Sequence, residues 1–443
     1  MVESSFLDED PVLFESASYW ECRRRARELR ARWYAGILDR ARRLSDDPLF
    51  EAMQSLLSAR QEAGGPDLFF SRTFSAWIGA LEGALLKVER GLDPICLDIY
   101  FDGEAFDRDL AVEYPNQGLS KVSVPFELLD GSVAVVPVHE LARSLHIIAG
   151  VRQTFPNVDW AKTPFDRHAF ELGVRHLDES LAALRKMSEG AYRSFKENVH
   201  SIGLHVLPDD ETSTSSRASW PGCIMIGLSR EHLERNDVPF TASLLYHEHA
   251  HNKLALYFYA QPAGLDPAEQ FVSPFKNTCR SAEVILHQIY PITVECGIRL
   301  ALMGSGGRDV TQALDHLAAT AFRMELLVGF LPLIAASPEC RTIVDKLAVL
   351  TRTVLAAIKQ RVSTAAPELT RRWALEQTRV NERHVWDIGQ SLVRGTAVRD
   401  PGLDSWRRDG EGVKYVYRGV ERTAVFETAG YGYVESRYRA LDR

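Results

Sequence analysis

The chain has 443 residues, a formal net charge of −8 and 25% charged residues. This length suits one large domain or two or three smaller ones, and the composition is that of a globular protein that can bury a sizeable core. The acidic balance argues against a nucleic-acid-binding protein.

The first half of the chain predicts helices, then short strands, then helices again. Residues 12–90 carry apolar residues at helical spacing and many arginines. Residues 91–150 change to the β-rich runs PICLDIYF, KVSVPFELL and SVAVVPV, which Gly, Asp and Pro interrupt. Residues 166–200 return to a helical pattern, and CIMIGLS at 223–229 predicts a strand.

The second half predicts mostly helices. One begins near Pro239, because proline suits the first turn of a helix. Residues 280–302, RSAEVILHQIYPITVECGIRLAL, predict another helix, with a break near Pro291. Residues 308–392 are largely helical in pattern. Residues 410–438 alternate aromatic or β-branched residues with polar ones, which predicts two or three small antiparallel strands.

The predicted architecture is a mostly helical α+β fold with a zincin-like metal-binding helix, short strands and a small C-terminal β appendage. Its regions are an N-terminal helical region (1–90), a mixed α/β region (91–200), an H-E-x-x-H metal-binding catalytic core (201–400) and the β appendage (401–443).

Several features predict a soluble cytoplasmic protein. The N-terminal segment lacks the apolar core of a signal peptide, and the most apolar run, 326–336, is too short to span a bilayer. The six cysteines are scattered without a CxxC pair, which indicates reduced thiols. We therefore expect neither membrane nor nucleic acid as a partner, and the oligomeric state stays open.

The motif that points to chemistry lies in SLLYHEHAHNKLALY, where His247, Glu248 and His251 spell H-E-x-x-H. Residues four apart share one helical face, so two imidazoles can bind one metal ion. Glu248, one step around, can reach a metal-bound water or orient a ligand. The apolar flanks predict a buried helix, and His249 is expected off the ligand face, either behind the metal ligands or at the surface. A packed, hydrogen-bonded histidine pair is the alternative.

A two-histidine site needs a third ligand. The metzincin continuation, H-x-x-G-x-x-H, is absent. Glu283, Glu295 and His287, all on the next predicted helix, are candidates. Arg280, Glu283 and His287 are spaced i, i+3 and i+7, so we expect them to share a helical face.

Three segments of the chain carry a resemblance to a known family. They are WPGCIMIGLS (220–229), YHEHAHNKL (246–254) and SPFKNTCRSAEVILHQIY (273–290). Together they resemble the HExxH-motif peptide-modification proteins, which are associated with ribosomally made peptide natural products.

The chain departs from the family pattern at four positions. Phe275 and Lys276 stand where the family often has Trp-Arg, Ser281 stands for Pro, and Gln288 stands for Gly or Ala. These departures indicate a divergent member.

The resemblance implies an iron(II)- and 2-oxoglutarate-dependent dioxygenase. It would use O₂ to hydroxylate a side-chain Cβ of a ribosomally made peptide; whether a leader region of that peptide is also recognised stays open. By position, His247 and His251 match the family's motif ligands and His287 matches its downstream histidine, with Glu283 as the alternative third ligand. Imidazole and carboxylate ligands suit Fe(II).

The remaining predicted site residues concern the cosubstrate. The far carboxylate of 2-oxoglutarate needs a cation, and Arg280 is the first candidate with Lys276 as the second. Glu248 would orient a ligand or a metal-bound water.

The main alternative is a zinc peptidase of the gluzincin type. In that case His247, His251 and Glu283 would bind Zn²⁺ and Glu248 would activate water. Arg280 separates the two possibilities, because a protease needs no cation beside the third ligand.

A third possibility is a peptide-binding module without catalysis. The β-rich tail could add an extended peptide as a strand. Its tyrosines could line a groove or could merely cap a small sheet. They are Tyr415, Tyr417, Tyr431, Tyr433 and Tyr438.

Overall fold

The chain forms two compact units in a computed structural model. We call them the N-terminal unit, whose main segment is Leu7–Gln261, and the C-terminal unit, whose main segments are Pro262–Gly304 and Arg308–Arg443. The structure describes residues 16–63, 68–91, 102–144, 148–160, 163–207, 213–216, 222–260, 264–303, 310–365 and 370–425.

Four helices come first among the described residues of the N-terminal unit. They are α1 (Ser16–Arg42), α2 (Pro48–Ala63), α3 (Arg72–Glu89) and α4 (Gly103–Glu113). Their apolar faces meet in a core that contains Tyr34, Phe50, Trp77 and Phe106. Helix α4 lies where strands were predicted, and the run PICLDIYF lies outside the described residues. An aspartate N-cap, Asp102, starts α4 by accepting a hydrogen bond from a backbone N–H in its first turn.

A five-stranded sheet forms the centre of the N-terminal unit. Its strands are β1 (Glu127–Leu129), β2 (Val133–Pro137), β3 (Ser201–Leu207), β4 (Ser213–Ser215) and β5 (Cys223–Ser229). The order is β1-β2-β3-β5-β4, with β2, β3 and β5 parallel and the two edge strands antiparallel. Every residue of β2 and β5 is buried, which explains their continuous apolar runs.

Six further helices lie in the described part of the N-terminal unit. They are α5 (Val138–Leu141), α6 (Ile148–Thr154), α7 (Arg167–Met187), α8 (Glu189–Asn198), α9 (Arg230–Glu234) and α10 (Val238–Ala260). Asp166 and Ser188 cap α7 and α8 with side-chain oxygens that accept backbone N–H groups. Pro239 lies in the first turn of α10, as the sequence predicted.

The described residues of the C-terminal unit form a hairpin, four helices and a small sheet. The hairpin consists of β6 (Gln270–Ser273) and β7 (Thr278–Ser281). The helices are α11 (Ala282–Leu302), α12 (Val310–Phe330), α13 (Pro338–Ala365) and α14 (Thr370–Val393). The sheet consists of β8 (Leu403–Asp409), β9 (Gly412–Tyr417) and β10 (Val420–Ala424). Pro291 is buried inside α11, and the helix runs through it, so the predicted break is wrong. A buried helix tolerates the one hydrogen bond that proline removes because packing holds both halves.

The C-terminal sheet packs on α14 through its central strand. Tyr415 and Tyr417 of β9 are buried in a core with Val385 and Ile388, and the Tyr415 hydroxyl donates to the Val385 carbonyl at 3.2 Å. These two tyrosines therefore fill a core and do not line a groove. The other three tyrosines of the tail lie outside the described residues.

Helices account for 64% of the structure, which confirms the mostly helical α+β fold. Among the described residues one segment, Ala313–Leu333, is long and apolar enough to cross a membrane, and 44% of its apolar window is buried inside the protein. One such segment is weak evidence for a membrane span, so the structure is compatible with a soluble protein.

Candidate metal centre

Helix α10, which carries the H-E-x-x-H motif, is anchored near its first turn by a buried network of histidines. The Thr241 hydroxyl oxygen lies 2.8 Å from His176 Nε2 and 3.0 Å from His232 Nε2. His176 Nδ1 lies 3.2 Å from the side-chain oxygen of Asn236. Buried polar groups require such partners, so His176 acts as a structural residue that joins α7 to α10.

The two motif histidines lie on one face of α10. Their ring centroids are 5.0 Å apart with an interplanar angle of 68°. Both His247 and His251 are half-buried, whereas the sequence predicted full burial. The predicted pairing of two donors on one helical face is present.

Glu248 lies on the buried side of the same turn and is only 3% exposed. Its carboxylate accepts a hydrogen bond from the Ser216 hydroxyl at 2.6 Å, and the same hydroxyl lies 3.1 Å from the Glu248 backbone carbonyl. This contact holds the carboxylate in place from the segment that follows β4. Such a fixed carboxylate is suited to orienting a neighbouring ligand.

The buried side of α10 carries more polar side chains than packing against neighbouring elements needs. His249 is fully buried, so the surface position considered for it is wrong; its Nε2 lies 3.1 Å from the Ser194 hydroxyl. Burial and the nearby Lys253 hold the pKa of His249 well below its usual range, so the ring is neutral. Asn252 is also buried, and among the described residues neither atom of its amide has a hydrogen-bond partner. A buried amide without hydrogen-bond partners costs about 1–3 kcal/mol of folding free energy. Helix α10 therefore carries, beside its histidine pair, an amide that can still form hydrogen bonds.

The candidate third ligands belong to the C-terminal unit. His287 lies half-buried on α11, and burial lowers its pKa to about 4, so its imidazole is neutral at neutral pH. Glu283, one turn earlier, is exposed. Glu295 forms an ion pair with Arg299 on the same helix and is already engaged. The role of each of these three residues as a metal ligand stays a prediction.

Arg280 does not share a helical face with Glu283 and His287, so that expectation is wrong. It lies on β7, opposite Phe271 of β6, and α11 begins only at Ala282 after the extended Ser281. The preceding turn contains Asn277 with a positive φ of 53°, a conformation that asparagine adopts more readily than most residues. The turn closes the hairpin of β6 and β7. Arg280 therefore lies in a strand, where the helical i, i+3, i+7 spacing does not apply.

Lys276, the second candidate cation, is exposed in the turn between β6 and β7. Its backbone N–H donates to the Ser273 hydroxyl at 3.1 Å. The Ser273 hydroxyl in turn donates to Gln288 Oε1 on α11 at 2.7 Å. Gln288, which departs from the family pattern, therefore ties the hairpin to the helix.

A second group of metal-ligating side chains lies in the N-terminal unit, and sequence analysis missed it. Glu113, His200 and Cys223 bring one ligand atom each to within 4.8 Å of one another. Cys223 Sγ is 3.7 Å and Glu113 Oε1 is 3.4 Å from the same nitrogen, His200 Nε2. We call these three residues the Glu-His-Cys cluster. They come from three separate elements, so no spacing motif could reveal them.

The charged side chains of this cluster shift one another's pKa values. Burial lowers the pKa of His200, but Cys223 and Glu113 outweigh burial and raise it to about 9. Burial raises the pKa of Glu113, but His200 and Arg72 outweigh it and lower it to about 2. Both shifts favour a positive charge at His200 Nε2, between the sulfur and the carboxylate.

No family model matches this chain, and no curated protein matches it. The resemblance to the HExxH-motif family therefore depends on the residues of the chain itself.

Proposed function

We propose that the chain is an iron(II)- and 2-oxoglutarate-dependent dioxygenase that hydroxylates a side-chain Cβ of a ribosomally made peptide. The observation that carries the proposal is the histidine pair of α10, with ring centroids 5.0 Å apart on a half-buried face. The donor chemistry fits, since imidazoles suit iron and two donors from one helix leave most coordination positions open.

The residues of α10 take different roles in this proposal. His247 and His251 hold the metal. Glu248 is fixed by the Ser216 hydroxyl at 2.6 Å and orients the metal surroundings from the buried side. Bound iron, with 2-oxoglutarate as the electron donor, would supply the oxidative chemistry that side chains alone cannot perform.

The remaining roles in the proposal are assigned from the sequence to residues of the C-terminal unit. His287 is the proposed third ligand, and Arg280 or Lys276 is the proposed partner of the far carboxylate of 2-oxoglutarate. The exposure of Arg280 and Lys276 leaves both cations available to an anion. The proposed partner is a peptide, and the proposed location is the cytoplasm.

An anaerobic titration tests the proposal. The protein is loaded with Fe(II), 2-oxoglutarate is added, and the visible metal-to-ligand charge-transfer band of the chelate is recorded. We expect the band in the unmodified chain and in His168→Ala, a control at an exposed histidine. We expect no band in His247→Ala. A full band in His247→Ala would overturn the assignment of α10 as the metal helix.

A zinc peptidase of the gluzincin type is the second candidate, because Arg280 lacks the helical placement that set the two possibilities apart. In that enzyme His247, His251 and Glu283 bind Zn²⁺ and Glu248 acts as the base. Peptide cleavage that depends on zinc and disappears in Glu248→Gln would favour it. Hydroxylation that persists in Glu248→Gln would favour the oxygenase.

A further inference from the structure

The Glu-His-Cys cluster lies where the parallel strands of the N-terminal sheet begin. His200 immediately precedes β3 and Cys223 is the first residue of β5, and Ser201 pairs in register with Cys223. Glu113 is the last residue of α4. Three elements that are distant in sequence thus deliver a carboxylate, an imidazole and a thiol to one point.

Two of the three separations between the ligand atoms are close to those of a tetrahedral metal site, and the third, between sulfur and the carboxylate oxygen, is within 4.8 Å. Metal bonds of about 2.3 Å to sulfur and about 2.0–2.1 Å to nitrogen and oxygen require sulfur–nitrogen and nitrogen–oxygen separations of about 3.5 Å and about 3.3 Å. The observed distances to His200 Nε2 are 3.7 Å from Cys223 Sγ and 3.4 Å from Glu113 Oε1. Small adjustments of side chains would close the site around an ion.

Both anionic partners converge on a single nitrogen. One N–H group of His200 cannot point directly at a sulfur and a carboxylate oxygen together, whereas one metal ion bound at Nε2 can contact both. This convergence differs from a catalytic triad, in which a histidine uses its two nitrogens for two different partners. The arrangement is therefore that of a ligand set.

The carboxylate of Glu113 is oriented for this role. Its Oε2 accepts hydrogen bonds from the Ser71 hydroxyl at 2.8 Å and the Thr73 backbone N–H at 2.7 Å. Its Oε1 accepts one hydrogen bond, from the Arg72 backbone N–H at 2.6 Å. Since each carboxylate oxygen has two lone pairs, Oε1 keeps one that can face His200.

Neighbouring groups support the other two ligands. The Tyr114 ring stacks on the His200 imidazole with centroids 4.6 Å apart and an interplanar angle of 16°. The Ser201 hydroxyl lies 2.8 Å from Cys223 Sγ. The His200 side chain is 27% exposed, which gives an ion a path to the otherwise buried cluster.

We propose that Glu113, His200 and Cys223 form a second metal site, for Zn²⁺, with three protein ligands and a fourth position for water. The sulfur, nitrogen and oxygen donor set is typical of zinc. This site is independent of the proposed oxygenase chemistry on α10, because it shares no residue with it. Binding displaces the Nε2 proton of His200 and the proton of the Cys223 thiol, and both protons leave to solvent.

Arg72 sets the strength of the proposed site. Its side chain is buried and its charge acts on both Glu113 and Cys223. A cation there offsets part of the negative charge that attracts a metal ion. We therefore expect weaker binding than in an all-thiolate structural site, and we expect Arg72→Met to tighten binding roughly tenfold, since it removes one competing charge and keeps the backbone N–H that holds Glu113.

Cobalt(II) is the probe that separates the two sites, because only a thiolate ligand gives a near-ultraviolet sulfur-to-cobalt charge-transfer band. The full chain carrying His247→Ala and His251→Ala is titrated with Co²⁺ alone, so any band arises away from α10. We expect the band to appear near one equivalent of Co²⁺. Its absence from this folded variant would overturn the second site and would leave the oxygenase proposal unaffected.

Three further variants identify the thiol. Cys223→Ser removes the proposed ligand, and His200→Gln keeps every thiol of the chain. Both should lose the band and weaken Co²⁺ binding about 100-fold or more, beyond the effect of losing a supporting residue. Cys22→Ser, at another buried cysteine of the same unit, should keep the band. A band that survives in His200→Gln or Cys223→Ser would contradict the assignment.

Discussion

The N-terminal unit contains two groups of metal-ligating side chains that are built in different ways. His247 and His251 come from one helix, lie on a half-buried face and offer two donors. The Glu-His-Cys cluster comes from three elements, is mostly buried and offers three donors with their supporting hydrogen bonds in place. The first group depends on helical geometry, whereas the second depends on the tertiary packing of the whole unit.

This difference separates two uses of a metal ion. A pair of donors on an open face leaves coordination positions for a cosubstrate and substrate, which catalysis needs. Three oriented donors in a buried cluster bind an ion with little freedom and contribute to the folded state itself. We therefore expect an ion at α10 to serve the proposed oxygenase chemistry, and an ion at the cluster to contribute to stability as well as to hold a water molecule.

The sharpest way to break the comparison is to remove one ligand from each group in turn. His251→Ala should lower Fe(II) affinity about 100-fold or more and leave the sulfur-to-cobalt band intact. His200→Gln should do the opposite and leave the iron–2-oxoglutarate band intact. Isothermal titration with each metal measures both effects. Loss of both bands in either single variant would mean that the two groups are coupled.

The contrast also explains what the sequence could predict. Helix α10 and strand β5 were predictable because helical spacing and a continuous apolar run are local signals. The histidine pair follows from the same spacing. Arg280 was misplaced because the spacing rule holds only within a helix, and α11 starts two residues later at Ala282. The Glu-His-Cys cluster has no local signal, since only the sheet register brings Ser201 beside Cys223.

A substitution at Gly222 should damage the cluster without touching α10. Gly222 has a φ of +79°, and an added Cβ would lie 2.4 Å from His200 Nδ1 and 2.8 Å from the Asn198 carbonyl oxygen. Gly222→Ala should therefore lower the free energy of unfolding by about 2–4 kcal/mol in urea denaturation. Gly118→Ala is the matched control, because Gly118 also has a positive φ of 61° but has open space around it. We expect a loss of about 1–2 kcal/mol there. Equal losses would show that the contact with His200 is not tight.

A smaller effect is expected on the α10 side from Ser216→Ala. This variant removes the hydroxyl that donates to Glu248 at 2.6 Å and leaves the helix intact. We expect Fe(II) affinity to fall about tenfold, the lower range for a residue that supports a metal ligand, and stability to fall by about 1 kcal/mol. Ser213→Ala, on the neighbouring strand, is the control; its hydroxyl donates to the Thr154 carbonyl instead. An unchanged Fe(II) affinity in Ser216→Ala would remove the positioning role from Glu248.

The smallest effect concerns the pH dependence of the anchor that holds α10. Burial lowers the pKa of His176 from its usual 6.5, against the opposing effects of the hydrogen bond that His176 donates to the Asn236 side-chain oxygen and of the carboxylates of Glu179 and Asp237. The unfolded chain therefore binds a proton near pH 6.5 that the folded chain does not bind, so the stability that His176 contributes is present above pH 6.5 and falls as the pH drops below it.

His176→Gln keeps a polar side chain beside Thr241 but cannot titrate. Unfolding in urea at pH 7 and pH 5 should thus show a smaller acid-induced loss of stability in His176→Gln than in the unmodified chain, while His168→Gln, at an exposed histidine, keeps the full loss. The same acid loss in all three proteins would mean that protonation of His176 does not loosen the anchor. A reduced loss confined to His176→Gln would mean that a neutral imidazole anchors helix α10, which carries the histidine pair. In the Glu-His-Cys cluster, by contrast, the side chains attract one another through their charges.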